Sequence, residues 1–453
     1  MTFLRTLFWF AVAAVLMLAA VWLAERPGAV TVQWRGWRLD TSVGVLLAAL
    51  LIVILLAVAL WLLYRWIVGA PGALLEGWGE SRRRRGYRAL TQGLAAVAAG
   101  DAAEAQKNAR KAEQLLSDPS LTLLLSAQAA QLNGDRDGAR RAFRSMLEDE
   151  HMAFLGLRGM IAQSLNDGDQ VQALDYAERA FRLRPQTAWV VHSLFDMQAQ
   201  VGRWQAAQET LETGLRTRVV AAEKGRTLKA LLLVERSREA ERAGRQDNAL
   251  GLAREAFGLA PERIAVASRL AALQTKAGQG GRAMKTLERA WSLSPHPDLA
   301  RLYLEAAGES DPLKRVGLVR RLVERKIEDV ESHIAIAQAA LDAGLWGEAR
   351  RHLELAGGDH PTARVCRMMA DVEERSGGGS VKVHEWLARA AEAPADRAWR
   401  CSACGAHHEA WRSVCESCGA FGTLHWRAPG TYGHILPPEV HPKPALPAAE
   451  TKV

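Results

Sequence analysis

The chain has 453 residues, with 58 Lys and Arg against 50 Asp and Glu, which gives a formal net charge of +8. Its length leaves room for two or three domains. The positive charge is dispersed over predicted helices and comes with no base-reading motif, which argues against nucleic acid as a partner.

Two apolar runs near the start predict a pair of membrane-spanning helices. The first covers about residues 3–24 and the second about residues 43–68. Each reaches the roughly 20 residues that a helix needs to cross a bilayer. A cleaved signal peptide is the alternative for the first run, but the Leu-Ala-Glu-Arg-Pro sequence at its end is a poor cleavage site. We therefore expect a transmembrane hairpin over residues 1–70.

The loop between the two apolar runs predicts a small β-hairpin. Apolar and polar residues alternate from Val30 to Leu39 around a central Arg-Gly pair. Trp34 and Trp37 are expected at the membrane surface, where amphipathic rings settle. The hairpin would thus cap the outer face of the membrane anchor.

A basic juxtamembrane segment, residues 71–88, follows the second apolar run. Its arginines outnumber its two glutamates: Arg82, Arg83, Arg84, Arg85 and Arg88 stand against Glu76 and Glu80. Because strongly basic flanks stay in the cytoplasm, we expect both termini and the rest of the chain on the cytoplasmic side of a bacterial inner membrane. The four consecutive arginines are predicted to contact lipid headgroups. Holding a partner protein or an anionic ligand is the alternative.

Residues 89–393 carry an internal repeat with a period of 34 residues. Glycines mark the period, with an eight-residue insertion around Val219–Arg226: Gly100, Gly134, Gly168, Gly202, Gly244, Gly278, Gly344 and Gly378. Alanine stands five residues after seven of them (Ala105, Ala139, Ala173, Ala207, Ala249, Ala283, Ala349) and twelve after six (Ala112, Ala180, Ala256, Ala290, Ala356, Ala390). Proline follows at Pro185, Pro261, Pro295 and Pro361.

This pattern is typical of paired helices. Glycine would close the turn between helix A and helix B, the small alanines would let helix B pack closely, and proline would end it. The set of positions resembles the tetratricopeptide repeat. The predicted fold class is therefore all-α, with an α-solenoid of about eight repeats between the transmembrane hairpin and a small C-terminal module.

Stacked repeats of this kind form a groove lined by the A helices and function by recognition. With the repeat phase given above, five side chains are predicted to face the groove and to bind cytoplasmic or membrane proteins: Arg158, Trp189, His192, Asp196 and Arg238. Ordinary solvated helix surface is the alternative for each of them.

The sequence shows no convincing catalytic motif. Residues 377–380 are glycine-rich, but they lack the Lys-Ser/Thr pair and the preceding strand of a phosphate-binding loop. Cys366 lies among apolar residues of a predicted helix, which indicates a core position, with a haem-thiolate ligand as the alternative. We therefore predict a protein that is not an enzyme.

Residues 399–428 contain two C-x-x-C-G knuckles separated by ten residues. Their spacing predicts one tetrahedral metal site with four thiolate ligands: Cys401, Cys404, Cys415 and Cys418. Spacing alone leaves open zinc, which would be structural, and iron, which could carry an electron, and zinc is preferred. Free thiolates indicate a reducing compartment.

The surroundings of this predicted site are aromatic. Four residues are expected to form the apolar cluster of the module: Trp399, Trp411, Phe421 and Trp426. His407 and His408 are expected at the surface, because four cysteines already complete the ligand set. The proline-rich tail, residues 429–453, is predicted to be disordered.

The N-terminal region resembles the HemY family. The resemblance rests on Glu25–Gly28 (ERPG) and on Val32–Trp37 (VQWRGW). Members are inner-membrane tetratricopeptide proteins associated with late haem biosynthesis, so the resemblance implies a membrane-anchored scaffold that gathers enzymes of tetrapyrrole synthesis. It carries over no porphyrin-contacting residue, and binding of haem or its precursors is left unknown.

The C-terminal module departs from the simpler HemY pattern and is similar to that of the lipopolysaccharide assembly protein B family. This resemblance implies that the four knuckle cysteines hold a metal and that the metal keeps the module against the repeats. It also implies a scaffold that controls proteolysis in envelope synthesis, but that family has one membrane helix where two are predicted here. This function is therefore the first alternative, and an iron-loaded electron-transfer or redox-sensing protein is the second.

Overall fold

The computed structural model describes most of the chain: Trp22 and residues 29–35, 37–116 and 118–428. The predicted first apolar helix, apart from Trp22, and the predicted disordered tail lie outside the described residues. The described chain is mostly helical, as predicted. It divides into two compact units, Met1–Gly134 and Asp135–Val453.

The first unit opens with the predicted β-hairpin. Strands β1 (Ala29–Trp34) and β2 (Trp37–Ser42) pair antiparallel, with Trp34 opposite Trp37. Arg35, in the turn, has a φ of 54°. The pairing confirms the hairpin, while the location of its tryptophans at a membrane surface stays a prediction.

Helix α1 (Val43–Ala99) is 57 residues long. Its first part, Val43–Arg65, is the one helix among the described residues that is long and apolar enough to span a membrane, with a mean hydropathy of 3.3. The helix continues through the basic segment, residues 71–88, and pairs with α2 (Ala102–Leu115), which is followed by α3 (Pro119–Leu132). The apolar segment and the first repeat helix are therefore one continuous element.

The second unit consists of fifteen described helices and a small sheet. The helices are α4 (Arg136–Met146), α5 (Ala153–Asn166), α6 (Gln170–Leu183), α7 (Ala188–Gln200), α8 (Trp204–Arg216), α9 (Ala222–Arg242), α10 (Gln246–Leu259), α11 (Ile264–Lys276), α12 (Gly280–Leu293), α13 (Pro297–Ala307), α14 (Pro312–Val323), α15 (Val330–Asp342), α16 (Trp346–Gly357), α17 (Ala363–Ser376) and α18 (Ser380–Glu392). A 3-10 turn, Glu324–Lys326, follows α14. Helices pack in consecutive pairs such as α5 with α6 and α9 with α10, as expected for A and B helices.

The turns between paired helices follow the glycine period. The seven glycines from Gly100 to Gly344 named above all have a positive φ, between 70° and 78°. Three of them precede an aspartate whose carboxylate accepts a bond of 2.8–2.9 Å from the amide three residues on: Asp101, Asp135 and Asp169. The position predicted for Gly378 is wrong. Helix α17 ends at Ser376, so Gly377 takes the left-handed conformation, with a φ of 78°.

The predicted small residues lie where helices pack most closely. All seven alanines of the first set are 0% exposed, so a larger side chain would have no space there. In the second set Ala112, Ala180, Ala256 and Ala290 are buried, whereas Ala356 and Ala390 are half-buried. The insertion around Val219–Arg226 lengthens an A helix, because α9 has 21 residues where α7 and α11 have 13.

The described residues end in a three-stranded antiparallel sheet. Strands β3 (Ala398–Cys401), β4 (His407–His408) and β5 (Leu424–Arg427) have the order β4-β3-β5. We call residues 398–428 the metal module. Cys366, in α17, is fully buried, which agrees with a core position.

Candidate metal centre and its contact with the repeats

The four predicted cysteine ligands converge. Their Sγ atoms all lie within 4.8 Å of one another, with 3.7 Å between Cys401 and Cys418 and 3.7 Å between Cys404 and Cys415. Four sulfurs placed tetrahedrally about 2.3 Å from one ion would be about 3.8 Å apart. The geometry therefore fits a single four-thiolate ion, and the donor set suits zinc and iron alike.

The two knuckles use the same backbone bonds to aim their sulfurs. In the first, the Gly405 amide donates to the Cys401 carbonyl at 2.9 Å, and the Cys401 amide donates to Ala406 at 2.9 Å. In the second, Gly419 donates to Cys415 at 2.8 Å. Gly405 and Gly419 have φ values of 76° and 73°, which side chains other than glycine adopt at a cost. The glycine in each motif is thus a requirement of the turn.

Further groups contact the sulfurs. Thr423 Oγ1 lies 3.1 Å from Cys401 Sγ, and the Ala403 amide donates to the same sulfur at 3.4 Å. His408 Nε2 lies 3.4 Å from Cys415 Sγ, and this histidine is buried. The expectation that His408 is a surface residue is therefore wrong, because pairing with Trp399 across β3 and β4 turns it toward the site. His407 is exposed, as expected.

The electrostatics of the four cysteines are compatible with a bound cation. Burial opposes ionisation of the Cys401 thiol, yet hydrogen bonds from Thr423 and backbone amides outweigh it and lower its pKa to about 7. Burial raises the pKa of Cys404 and Cys418, the thiols of Cys401 and Cys415 add to the rise, and backbone hydrogen bonds oppose it. Four adjacent thiolates would repel one another, so a divalent ion would compensate their charge and the residues fit a bound metal.

The metal module packs onto the repeats through Phe421. Its ring lies 5.6 Å from that of Phe195 in α7 and 6.1 Å from that of Trp204 in α8. Phe421 therefore belongs to the core of the repeats. Its expected place in the apolar cluster of the module is wrong, whereas Trp399, Trp411 and Trp426 do cluster there with Leu424.

Polar contacts accompany this packing. Gln200 Nε2 donates to the Gly419 carbonyl at 3.1 Å, and Arg263 Nη2 donates to the Gly422 carbonyl at 3.4 Å. A Cβ on Gly422 would lie 3.0 Å from Leu231 Cδ1. The second knuckle and the turn after it thus approach helices α7, α9 and α11 closely.

A second contact surrounds His296, the residue that caps α13. Its Nδ1 accepts from the Asp298 amide at 3.1 Å, and its ring lies 5.2 Å from Trp399 and 4.5 Å from Trp426. Burial lowers its pKa to about 3, so the ring is neutral at physiological pH. The module is therefore held at two places along the repeats, one around Phe421 and one around His296.

The five predicted groove residues divide between two surroundings. Arg158 stacks over Trp189, 5.5 Å from its centroid, and Phe154 lies 5.5 Å from the same ring. His192 and Asp196, on the helix of Trp189, are half-buried. Burial raises the pKa of Asp196 to about 6, and Lys224 opposes the rise. We call Arg158, Trp189, His192 and Asp196 the α5–α7 surface.

Arg238, the fifth predicted groove residue, contacts the metal module. Its guanidinium lies 5.4 Å from the centroid of Trp411 and donates to Glu235 at 2.7 Å. A position predicted to receive a partner protein is thus in contact with the C-terminal part of the same chain. No local sequence pattern indicates this.

The predicted membrane-surface arginines lie on an exposed part of α1 in the first unit. Arg84 pairs with Glu80 at 3.0 Å, and Arg83 stacks over Tyr87 at 5.6 Å. Arg82 Nη2 donates to the Gln114 carbonyl at 2.7 Å, at the end of α2. One of the four arginines therefore ties α1 to the end of α2.

Sequence comparisons give relatives for the N-terminal region and for the whole chain. Residues 28–134 match the family model of the HemY protein N-terminus. Protein HemY of Escherichia coli is 33% identical over 121 residues, which are 26% of this chain and 30% of HemY. A protein of Magnetospirillum gryphiswaldense named "Probable magnetosome protein Mms48" is 29% identical over 440 residues, 93% of each chain.

Among solved structures, the Naa15/Naa10 complex bound to HypK-THB is similar, with a TM-score of 0.43 and 15% identity, over 70% of this chain and 51% of that chain. A crystal structure of MamA has a TM-score of 0.27 and 16% identity, over 39% of this chain and 92% of that chain. The chain carries the HemY N-terminal region in residues 28–134, followed by tetratricopeptide-type repeats and a four-cysteine module.

Proposed function

We propose that this chain is a membrane-anchored, non-enzymatic scaffold that binds proteins through the α5–α7 surface. The observation that carries the proposal is the composition of this surface. A half-buried tryptophan stacked with an arginine lies beside Asp196, a half-buried carboxylate with no ion-pair partner within 4.0 Å among the described residues. Aromatic and arginine anchors of this kind contribute much of the energy at protein interfaces, and Asp196 suits a basic residue of the partner.

The metal module has a supporting role in this proposal. A bound ion would supply folding free energy on the order of 10 kcal/mol to a module too small for a large core. Cys401, Cys404, Cys415 and Cys418 would hold the ion, with Thr423 and His408 beside the sulfurs. The folded module then covers Phe195 and Arg238 and leaves the α5–α7 surface as the place for a partner.

Site-specific photo-crosslinking tests the scaffold. A photoreactive phenylalanine analogue replaces Trp189 in the full chain in its native membrane, and the control places it at Val171, which is 77% exposed on α6. We expect discrete adducts at position 189 that Asp196→Ala abolishes, and none at 171. Equal adducts at both positions would contradict a specific surface.

A link to late haem biosynthesis is supported by the HemY N-terminal region. We propose that the partners are enzymes of tetrapyrrole synthesis. Deletion of the gene should cause fluorescent porphyrins to accumulate, and a Trp189→Ala copy should fail to reverse this. Unchanged porphyrin and haem levels would refute the haem link, and adducts at position 189 would still support the scaffold. An adduct with an enzyme of lipopolysaccharide synthesis or its protease would instead favour the envelope alternative.

The location is part of the proposal. The apolar segment Val43–Arg65 would anchor the chain in the inner membrane, with a first helix before it and the repeats in the cytoplasm. Alkaline phosphatase fused after residue 28 should be active, because the enzyme folds only outside the cytoplasm. A fusion after residue 428 should be inactive. An active second fusion would reverse the proposed orientation.

A second candidate function comes from Mms48, because that similarity extends over 93% of both chains. In this alternative the scaffold binds magnetosome proteins. Electron microscopy of the deletion strain tests it in a host that forms magnetosomes. A normal chain of particles in the deletion strain would refute this alternative.

A further inference from the structure

A cavity of about 310 Å³ lies between the metal module and the repeats. The module contributes Trp399, Trp411, Trp426 and the residues beside them, and the repeats contribute the start of α11 and the end of α12. Its volume is at the lower end of the range in which small-molecule sites fall, roughly 300–1,000 Å³. Neither the proposed metal site nor the α5–α7 surface makes use of it.

Arginines dominate the charge of this cavity. Arg263, Arg397 and Arg427 line it, against two acidic residues, Glu262 and Asp329. Asp329 is already engaged, because its Oδ1 accepts from the Glu331 amide at 2.9 Å and lies 3.9 Å from Arg397. The lining therefore has an excess of positive charge.

Arg263 is the most informative of the three arginines. It is half-buried, and no carboxylate among the described residues lies within 4.0 Å of its nitrogens. Its contacts are neutral: His425 Nδ1 at 3.3 Å and the Gly422 carbonyl at 3.4 Å. Burial lowers the pKa of Arg263 and Arg427 adds to this effect, while the Glu262 carboxylate, which forms no ion pair with Arg263 within 4.0 Å, opposes it. A half-buried guanidinium without an anion is costly, which points to an anion from outside the chain.

Other donors converge on the same cavity. Burial and the two arginines lower the pKa of His425 to about 4, so its ring is neutral, accepts from Arg263 at Nδ1 and keeps a proton on Nε2. Trp426 has a buried indole N–H with no partner among the described residues. The first amides of α11, at Ile264 and Ala265, face no intrahelical acceptor. All of these groups donate and none supplies a negative charge.

We propose that this cavity binds a small organic anion. Its phosphate or carboxylate group would be held by Arg263, Arg427 and the first amides of α11, and its planar or apolar body would lie against Trp399 and Trp426. A ligand bound there would contact both the module and the repeats, and would therefore stabilise their docked arrangement. This proposal does not rest on the scaffold function, which crosslinking at Trp189 tests separately.

Calorimetric titration of the full chain in a non-ionic detergent tests the proposal, with 1-naphthyl phosphate as the probe. We expect saturable binding of about one equivalent, weakened by about tenfold or more in Arg263→Gln and in Arg427→Gln, since each loses a charge-assisted contact. Arg427 is exposed, so its substitution leaves the packing intact. The matched control is Arg412→Gln, an exposed arginine of the same module that pairs with Glu416 at 2.7 Å and does not line the cavity.

Two comparisons decide the outcome. 1-Naphthol, which has the ring but no charge, should bind far more weakly than 1-naphthyl phosphate, and metal content should be equal in all variants. The proposal is overturned if 1-naphthyl phosphate shows no saturable binding, if Arg412→Gln weakens it as much as Arg427→Gln does, or if naphthol binds equally well.

Discussion

Phe421 of the metal module packs edge-to-face against Phe195 of α7, with ring centroids 5.6 Å apart and an angle of 83° between the planes. Phe421 is 4% exposed and lies in the same buried cluster as the helices of the repeats. Edge-to-face pairs contribute beyond the area that they bury. This contact therefore makes Phe421 a main holding point between the module and the repeats.

Phe421→Ala should therefore release the metal module from the repeats. Removal of a buried phenylalanine costs about 3–5 kcal/mol, and here much of that cost falls on docking. Limited proteolysis should cleave residues 393–397 faster than in the wild type, while the metal content stays the same. Leu355→Ala is the control, because Leu355 is 55% exposed on α16 and its loss should leave the cleavage rate unchanged. Loss of metal in Phe421→Ala would mean that the module does not fold by itself.

Cys404→Ser should lose the metal, and Cys366→Ser should retain it. Cys404 is one of the four converging sulfurs, whereas Cys366 is buried in α17 away from them. Metal analysis with visible spectra before and after dithionite should give about one zinc per colourless wild-type chain. A red protein that bleaches on reduction would mean iron and would bring electron transfer or redox sensing forward. Metal retained in Cys404→Ser would contradict the four-thiolate site.

The helical repeats could be predicted from sequence because their turns and close helix contacts each require a particular residue type. Gly168 is needed where the turn requires a positive φ, and Ala173 is needed where two helices touch, so both recur with the period. The cysteine ligands could be predicted for the same reason, since each knuckle is a local turn. The sequence holds a further signal for the start of three B helices, because each follows a Gly-Asp pair and aspartate is a common N-cap residue.

The docking of the module could not be predicted in this way. Gln200 and Gly419 are 219 residues apart, and neither stands in a pattern that refers to the other. From the sequence alone, Phe421 is predicted to lie in the core of its own module. No sequence pattern near Phe421 indicates that it packs against Phe195. His408 is predicted from sequence to lie at the surface, and only the pairing of β3 with β4 shows that it is turned toward the cysteines. Long-range packing decides each of these positions.

Asp196 should lower the stability of the wild type at neutral pH. Burial raises its pKa from 3.8 to about 6, so the folded chain binds more protons than the unfolded chain between these values. The contribution of this carboxyl to the free energy of unfolding is therefore most favourable below pH 3.8 and is lost as the pH rises through about 6. Asp196→Asn should stabilise the protein by about 1–2 kcal/mol at pH 7, after allowance for solvent screening, and have little effect at pH 4.

Thermal unfolding at the two pH values measures this difference. Asp175→Asn is the control, because Asp175 is exposed on α6, and it should change the unfolding temperature little at either pH. A stabilisation by Asp196→Asn that is equal at pH 4 and pH 7 would show that the charge of Asp196 is not its cause.

Two glycine substitutions should have opposite effects, although neither creates a steric contact. A Cβ at Gly168 or at Gly251 would meet no atom within 4 Å. Gly168 has a φ of 77° in the turn before α6, so Gly168→Ala should destabilise the chain by about 1–2 kcal/mol through backbone strain. Gly251 lies inside α10, so Gly251→Ala should stabilise the chain by about 0.5–1 kcal/mol, because alanine loses less conformational entropy in a helix. Circular dichroism during chemical denaturation measures both changes in the free energy of unfolding. Destabilisation by both substitutions would show that the space at these positions, rather than the backbone conformation, limits the side chain.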